Sequence, residues 1–390
     1  MNRARVMSFI KENTMIIALF VITAFFVWQT DGIILLPANV SNLISQNAYV
    51  FVLATGMLLC ILTGGNIDLS VGSVVCFVGA TGAIFMEKHD IHWVLAVIFM
   101  LIIGIAIGAW HGFWIAYIKV PPFIATLAGM LIFRGLSNVV LNGLTVSITN
   151  QTFTKLFGGG ADCYVPDIFG MDNFNMTSML IGIIACIIYV CIQFRGRIIK
   201  AKKGYEMESI DKMIIRSIII SAVILAFSYK LSMYKGIPFA LIIVAIVVLV
   251  YGFITSKTVL GRHFYAVGGN EKAAKLSGIN TSKVYFIAYT NMGFLAALAG
   301  MMTIARLTSA QPTYGQNYEM DAIGSCFIGG ASAYGGTGKV SGVIIGALLM
   351  GVINIGMSIM GVGADIQRVV KGIVLLGAVA FDVITKKRKD

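Results

Sequence analysis

Residues 240–250 read Ala-Leu-Ile-Ile-Val-Ala-Ile-Val-Val-Leu-Val, with no polar side chain to turn toward water. About a dozen further stretches have enough apolar length to cross a bilayer, which takes roughly 20 residues at 1.5 Å of rise each. A helix that is apolar all round has no wet face, so it must be buried in protein or in lipid. Composition excludes the first option for so many helices. Of 390 residues, 58% are hydrophobic and only 12% are charged, about half the charged share of a soluble domain. Soluble enzymes, nucleic-acid binders and disordered scaffolds are therefore excluded. The net charge of +12 would suggest a polyanion partner in a soluble chain. Here its placement decides otherwise, because no basic stripe lies on a soluble face.

The basic residues gather in four places: Arg3, Arg5 and Lys11; seven between 195 and 216; five between 257 and 283; and Lys386 to Lys389. Lysine and arginine are retained on the cytoplasmic side of membrane proteins. Spans are expected at 15–36, 49–63, 69–86, 93–118, 122–141, 177–194, 213–229, 237–255, 284–304, 340–360 and 366–384. Residues 322–334 are too short and glycine-rich for an ordinary span. They read as a broken or re-entrant segment, tolerated only where protein buries it. Alternating from an inner N-terminus puts every basic cluster inside, including the 195–216 and 257–283 loops. The 142–176 loop, with Asp162, Asp167 and Asp172 against Lys155, falls outside. The expectation is an all-α polytopic membrane protein with about 10–12 segments, forming one transmembrane domain over 1–390 with both termini cytoplasmic. The charged and then apolar N-terminus lacks a small-residue cleavage site, so it reads as a retained signal-anchor. The six cysteines show no paired spacing, and neither a disulfide framework nor a metal cage is expected.

Small residues mark where helices approach each other. Gly104, Gly108 and Gly112 recur every four residues in one span, and Gly342 and Gly346 in another. At that spacing they share a face and let backbones come close. Polar residues mark where the membrane segments are interrupted. In 63–73, glycines break the helix, and Asp68 and Ser70 can cap the next one. Asn66, Asp68 and Ser70 therefore read either as a polar path along a discontinuous helix or as a turn that only caps. Arg134 and Asn138 lie four apart on one helix face. An arginine within a span must face a cavity or an acid, and Asp68 and Asp321 are both possible partners. Asn291 and Asn354 suit helix-to-helix hydrogen bonds and complete the set of polar groups available to a path.

On the inner side, Gly261-Arg262-His263-Phe264-Tyr265-Ala266-Val267-Gly268-Gly269 leads to Asn270, which can cap a short helix with Glu271 in its first turn. That helix would carry Ala273, Ala274 and Leu276 and end at Gly278. It suits docking in a groove, though an ordinary solvated loop would have the same composition. A phosphate-cradling loop is missing: Gly335-Gly336-Thr337-Gly338-Lys339 is followed by Val340, and Ala333 stands at the outer glycine position. Nor does any nucleophile–base or paired-carboxylate set stand out.

Asn66-Ile67-Asp68-Leu69-Ser70-Val71-Gly72-Ser73, the 261–279 stretch, and Tyr318-Glu319-Met320-Asp321-Ala322-Ile323 with Ile328-Gly329-Gly330 resemble the membrane subunits of bacterial ATP-binding-cassette importers for monosaccharides. The resemblance runs from about Ala48 to Asp382. The 120–130 stretch and the extra basic 195–236 insertion are most similar to the xylose and multiple-monosaccharide branch. Gly65-Asn66 and Ala333-Tyr334 depart from the usual family pattern. The resemblance implies a type II importer-like permease in the bacterial inner membrane. Its partners would be a second permease copy, a cytoplasmic ATPase that holds ATP and Mg, and an external sugar-binding protein. It also implies that Gly261, Arg262, Ala266, Gly268, Gly269, Asn270, Glu271, Ala273, Ala274, Leu276 and Gly278 belong to the ATPase-coupling segment. No cofactor is expected in this chain. Few strong polar anchors are expected in the spans, since the binding protein would supply specificity. The competing class is an ion-coupled secondary transporter, which needs intramembrane acids as relays.

Overall fold

The computed structural model describes residues 14–171, 173–204 and 209–387. Arg3, Arg5, Lys11, Asp172, Arg388 and Lys389, used above to assign sides, lie outside the described residues. The fold is α-helical: α1 Thr14–Gln29, α2 Pro37–Leu62, α3 Val71–Glu87, α4 Trp93–Ala116, α5 Pro122–Leu141, α6 Gln151–Leu156, α7 Met176–Lys202 and α8 Ile210–Ser232. The second half comprises α9 Phe239–Lys257, α10 Val259–Gly269, α11 Glu271–Leu276, α12 Thr281–Leu307, α13 Tyr318–Ile328, α14 Val340–Ile359 and α15 Ala364–Lys387. Two-residue strands β1 Val146–Ser147 and β2 Ser309–Ala310 pair antiparallel, with Val146 opposite Ala310. Among the described residues, seven helices are long and apolar enough to cross a membrane (α2, α4, α5, α7, α9, α12 and α14), and α1 and α3 are shorter apolar helices. The chain is a multi-pass membrane protein.

Boundaries follow local chemistry. Pro122 opens α5 at the position where its missing N–H is harmless, and Asn142 (φ 51°) and Gly143 (φ 70°) close it. Asn150, Asn175 and Asn280 cap α6, α7 and α12 through side-chain oxygens on the third residue's N–H. Three expectations need correction. The span expected at 15–36 ends at Gln29, where a Thr30–Gly32 turn leads into a short 3-10 turn, Ile33–Leu35. The span expected at 49–63 starts at Pro37, so its first turns carry Asn39, Ser41, Ser45 and Asn47. The 195–216 loop is largely helix, because α7 runs on to Lys202 and α8 begins at Ile210. The 322–334 segment, expected to be broken, is the end of a short helix, α13, followed by a glycine-rich turn.

The core is built around α2, whose residues from Ala48 to Leu62 are almost entirely buried. It packs against α12, α13, α14 and α9. The most extensive helix pair is α4 with α12. Gly104 faces Gly293 and Ala297, Gly108 faces Tyr289 and Thr290, and Gly112 faces Phe286, so a side chain at any of them would strike α12. Gly342 and Gly346 meet Gly329 and Ser325 on α13 in the same way. Backbones brought this close gain dispersion contact that lipid cannot supply.

Connections gather at two ends of the bundle. At one end the β1–β2 pair lies with Glu87, which accepts from Thr149 N–H and hydroxyl at 2.8 and 2.7 Å. Asn175 N–H there donates to the Ser232 carbonyl. At the other end Lys119 Nζ meets Ser282 Oγ at 3.2 Å, and the turns after α2, α10 and α13 come together.

Candidate functional site

The polar residues singled out in the sequence do not form one cluster; the structure distributes them over three places.

The first is the meeting of turns beyond α2. Residues 63–70 climb back beside α2, so that Asp68 N–H contacts Met57 Sδ at 3.4 Å. Asp68 is 3% exposed, and its Oδ1 accepts from Ser70 N–H at 2.8 Å and Ser70 Oγ at 2.6 Å. It thus holds the start of α3, and Asn66 Nδ2 donates to the Thr63 carbonyl at 3.2 Å. The end of α10 docks against this turn. A Cβ on Gly268 would run into the Leu62 carbonyl oxygen, and one on Gly65 into the Ala333 carbonyl oxygen. Gly336 N–H donates to that same Leu62 oxygen at 3.1 Å, and Tyr265 OH donates to the Gly338 carbonyl at 2.8 Å. Three turns from distant parts of the chain therefore touch backbone to backbone. From them projects α11. Asn270 Oδ1 accepts from Ala273 N–H at 3.0 Å, and Gly278 (φ +84°) ends the segment. Ala274 faces inward and is buried, whereas Arg262 and Glu271 are exposed and Tyr285 OH donates to Glu271 at 3.1 Å. Leu276 is 90% exposed between charged neighbours Lys272 and Lys275.

The second place surrounds Arg134. Its guanidinium donates to the Pro312 and Tyr314 carbonyls at 3.0 and 2.6 Å. Both acids considered as partners are thus replaced by backbone oxygens of the loop before α13, a choice that side-chain types alone cannot reveal. A cavity of about 320 Å³ beside it is lined by Ser73, Gln316, Asn317, Glu319 and Arg368. Asn138 stays exposed, away from any buried path.

The third place brings Asp321 and Asn354, both singled out in the sequence, together with Tyr49 and Lys371, which were not. Asp321, 1% exposed at the start of α13, is held by Lys371 of α15. The ammonium lies 2.9 Å from Oδ1 and 3.1 Å from Oδ2. Tyr49 OH of α2 donates to Oδ2 at 2.7 Å, and its ring stacks on Tyr318 with centroids 3.6 Å apart. Above them lies a cavity of about 240 Å³ whose wall includes Ser45, Asn47, Thr303, Arg306, Asn354 and Gln367. Asn354 Nδ2 donates to Asn47 Oδ1 at 3.1 Å, linking α14 to α2. Asn291 accepts from Tyr251 and links α9 to α12, away from this cavity. Phe157, just past α6, lines the same cavity, so it lies at the 142–176 end of the bundle. The expectation of few polar anchors gives way here to a buried ion pair and a polar wall. Lys371 and Arg368 are the two cations within the 366–384 stretch, and Lys371, the one deeper in it, is the sequence signal that could have marked the place. No group of three His, Cys, Asp or Glu among the described residues could hold a metal ion.

Comparison with known proteins agrees with a transport role. Residues 39–379 match the family described as branched-chain amino acid transport system / permease component. The chain is similar to the xylose transport system permease protein XylH of Haemophilus influenzae, 40% identical over 96% of both chains. It is 37% identical to XylH of Escherichia coli K12 (96% of this chain, 92% of the relative). To the ribose import permease protein RbsC of Escherichia coli K12 it is 35% identical (88% and 85%). No solved structure matches. An α-helical, multi-pass chain matched over nearly its whole length by sugar permeases belongs to this family of transport-system permease components.

Proposed function

We propose that this chain is the membrane subunit of an ATP-binding-cassette importer that moves monosaccharides into the cytoplasm by alternating access. The observation that carries the reading is α11. It is a capped, six-residue helix projecting between charged side chains, with an apolar knob, Leu276, left 90% exposed. A leucine flanked by Lys272 and Lys275 is poorly placed for lipid and well placed for a groove on a soluble partner. That partner is the ATPase, which holds ATP and Mg. The interlocked glycine turns give a physical route for force, because displacement of α10 acts directly on the end of α2, where the turn to α3 begins, and on the turn between α13 and α14. Rocking of these elements as packed bodies opens the path alternately to each side. A second copy of the chain and an external sugar-binding protein complete the assembly. The basic clusters of the sequence support a cytoplasmic α10–α11 end and cytoplasmic termini.

One observation favours a second reading. The buried Asp321–Lys371 pair beside a polar cavity is the type of intramembrane ionisable group that ion-coupled transporters use. Reconstitution in proteoliposomes separates the two. The import reading expects xylose or ribose uptake that needs ATP, the ATPase and the binding protein. Uptake driven by a proton or sodium gradient across vesicles holding this chain alone would replace it with the second reading.

A further inference from the structure

Helices α7 and α8 pack chiefly on each other, in an antiparallel hairpin that is tight at one end and open at the other. Near the 142–176 loop, a Cβ on Gly182 would strike Ser228, and Cys186 Sγ donates to the Ser221 carbonyl at 3.5 Å. Toward the 195–216 segment the helices part around a cleft of about 240 Å³, lined by Ile192, Gln193, Gly196, Arg197, Lys200 and Arg216. Arg216 reaches Gln193 Oε1 at 3.5 Å. Gly196 shapes the cleft, because a Cβ there would meet nothing within 4 Å. Glycine inside a helix is disfavoured against every residue but proline. Close packing accounts for Gly182, whereas at Gly196 the missing side chain leaves space that no neighbour fills.

Depth and charge say what fits this cleft. From Thr177 to Phe194, α7 carries no charged residue, a length of roughly 27 Å at 1.5 Å per residue. That is close to the hydrocarbon thickness of a bilayer, roughly 30 Å. Gly196 and Arg197 follow directly, so the cleft opens at the depth of lipid headgroups. Arg197, Lys200 and Arg216 line it, and no acid among the described residues does. The whole 195–216 segment holds seven basic residues against Glu206, Glu208 and Asp211, so the surrounding field is positive as well. Glu206 and Glu208 lie outside the described residues, and Asp211 is exposed in the first turn of α8. From the cleft toward the middle of the bilayer run Ile192 and Ile188 on α7, and Ile219 and Val223 on α8, all more than half exposed. A soluble anion would match the cations and leave this apolar trail uncovered. A zwitterionic lipid brings a cation of its own into the cationic cleft. We propose that the cleft holds one anionic phospholipid by its phosphodiester, with acyl chains along the trail, and that the lipid braces the α7–α8 hairpin. Guanidinium and ammonium groups between membrane helices suit such a headgroup. The site stands apart from the import reading and holds whichever solute the chain carries.

The test titrates the full-length chain in detergent with phosphatidylglycerol, with phosphatidylcholine of the same acyl chains, and with inorganic phosphate. Native mass spectrometry and thermal unfolding read the result. Expected is a phosphatidylglycerol retained by each chain that raises the melting temperature, with weaker retention of phosphatidylcholine and no effect of phosphate. Lys200→Gln should weaken retention by about fivefold, the contribution of one cation at a membrane surface. Lys202→Gln, at the same helix end but outside the cleft, should weaken it less. Gly196→Leu keeps every charge and fills the space, so it should abolish retention while the chain stays folded in phosphatidylcholine. Lys200 is exposed, so the two lysine variants decide the matter if Gly196→Leu unfolds. Equal retention of the two lipids, undiminished retention in a folded Gly196→Leu, or equal losses from Lys200→Gln and Lys202→Gln would overturn the site. Stabilisation by phosphate equal to that by phosphatidylglycerol would overturn it in favour of a soluble anion.

Discussion

The two ends of α2 solve opposite problems. At Leu62 three glycine turns meet with no room for a side chain, and the contacts are backbone to backbone. At Ser45 and Asn47 the same helix lines a cavity whose wall is polar and incompletely paired. Close packing makes an end stiff, so motion imposed on it is transmitted rather than absorbed. A polar hollow can take up a solute and release it. One helix thus joins a close-packed meeting of backbones to a polar hollow.

The largest effect should come from the hollow end. Lys371→Met leaves Asp321 buried and unpaired, and removing one partner of a buried pair destabilises by about 3–5 kcal/mol. Asp321→Asn should do comparable damage, and the double variant should recover most of the loss. Thermal unfolding in detergent measures the cycle, and additive losses would show that the two groups do not act as a pair. At the packed end, Gly268→Ala forces the Leu62 carbonyl to move, an overpacking change of about 1–3 kcal/mol. Its clearer signature is functional: ATP hydrolysis by the assembled importer should persist while sugar uptake falls. Uptake at the normal rate would remove the force-carrying role of the turns.

Changes on α11 should leave stability untouched, because the side chains are exposed. Leu276→Asp or Glu271→Lys should separate uptake from hydrolysis, or release the ATPase in co-purification, with an unchanged melting temperature. A bulky residue at Gly278 should do the same while adding the backbone strain of φ +84°. Full transport in all three would refute the docking role. The smallest effect concerns Asp167, at the end bearing the cavity. Backbone N–H groups of Thr177 and Met171 hold its carboxyl down to about 2 from 3.8. A lowered carboxylate pKa stabilises the fold fully above the unfolded value and less as pH falls through the folded one. The α7 start should therefore hold at pH 5 and loosen only between about pH 4 and 2. Hydrogen exchange at Thr177 reports this, and Asp167→Asn should abolish the pH dependence.

How much of this the sequence discloses varies by residue. The span at 122–141 is readable to the residue because Pro121-Pro122 and Asn142-Gly143 bracket it with backbone constraints. The Asn270 cap and Gly278 stop are local too, and the structure has both. The start of α2 is misread because Asn39, Ser41, Ser45 and Asn47 look like a solvated loop. They are polar because three of them, Ser41, Ser45 and Asn47, are buried in protein, a distinction that hydropathy does not make. The ion pair is hidden for a different reason. Asp321 and Lys371 are fifty positions apart, and neither carries a local mark of the other. Arg134 shows the same limit, since its partners are carbonyl oxygens, which every residue has.

The last helix ties these parts together. Lys371 fastens α15 to Asp321 at the cavity, and Asp382, eleven residues on, accepts from Ala333 N–H at 3.2 Å in the glycine-rich turn. At 1.5 Å per residue the two fastenings stand about 16 Å apart on one rigid rod. A rod pinned at both ends fixes the separation between them, so the hollow cannot widen along this line without pulling on the turn that meets α10. A change of width at one end of this line is thereby legible as tension at the other.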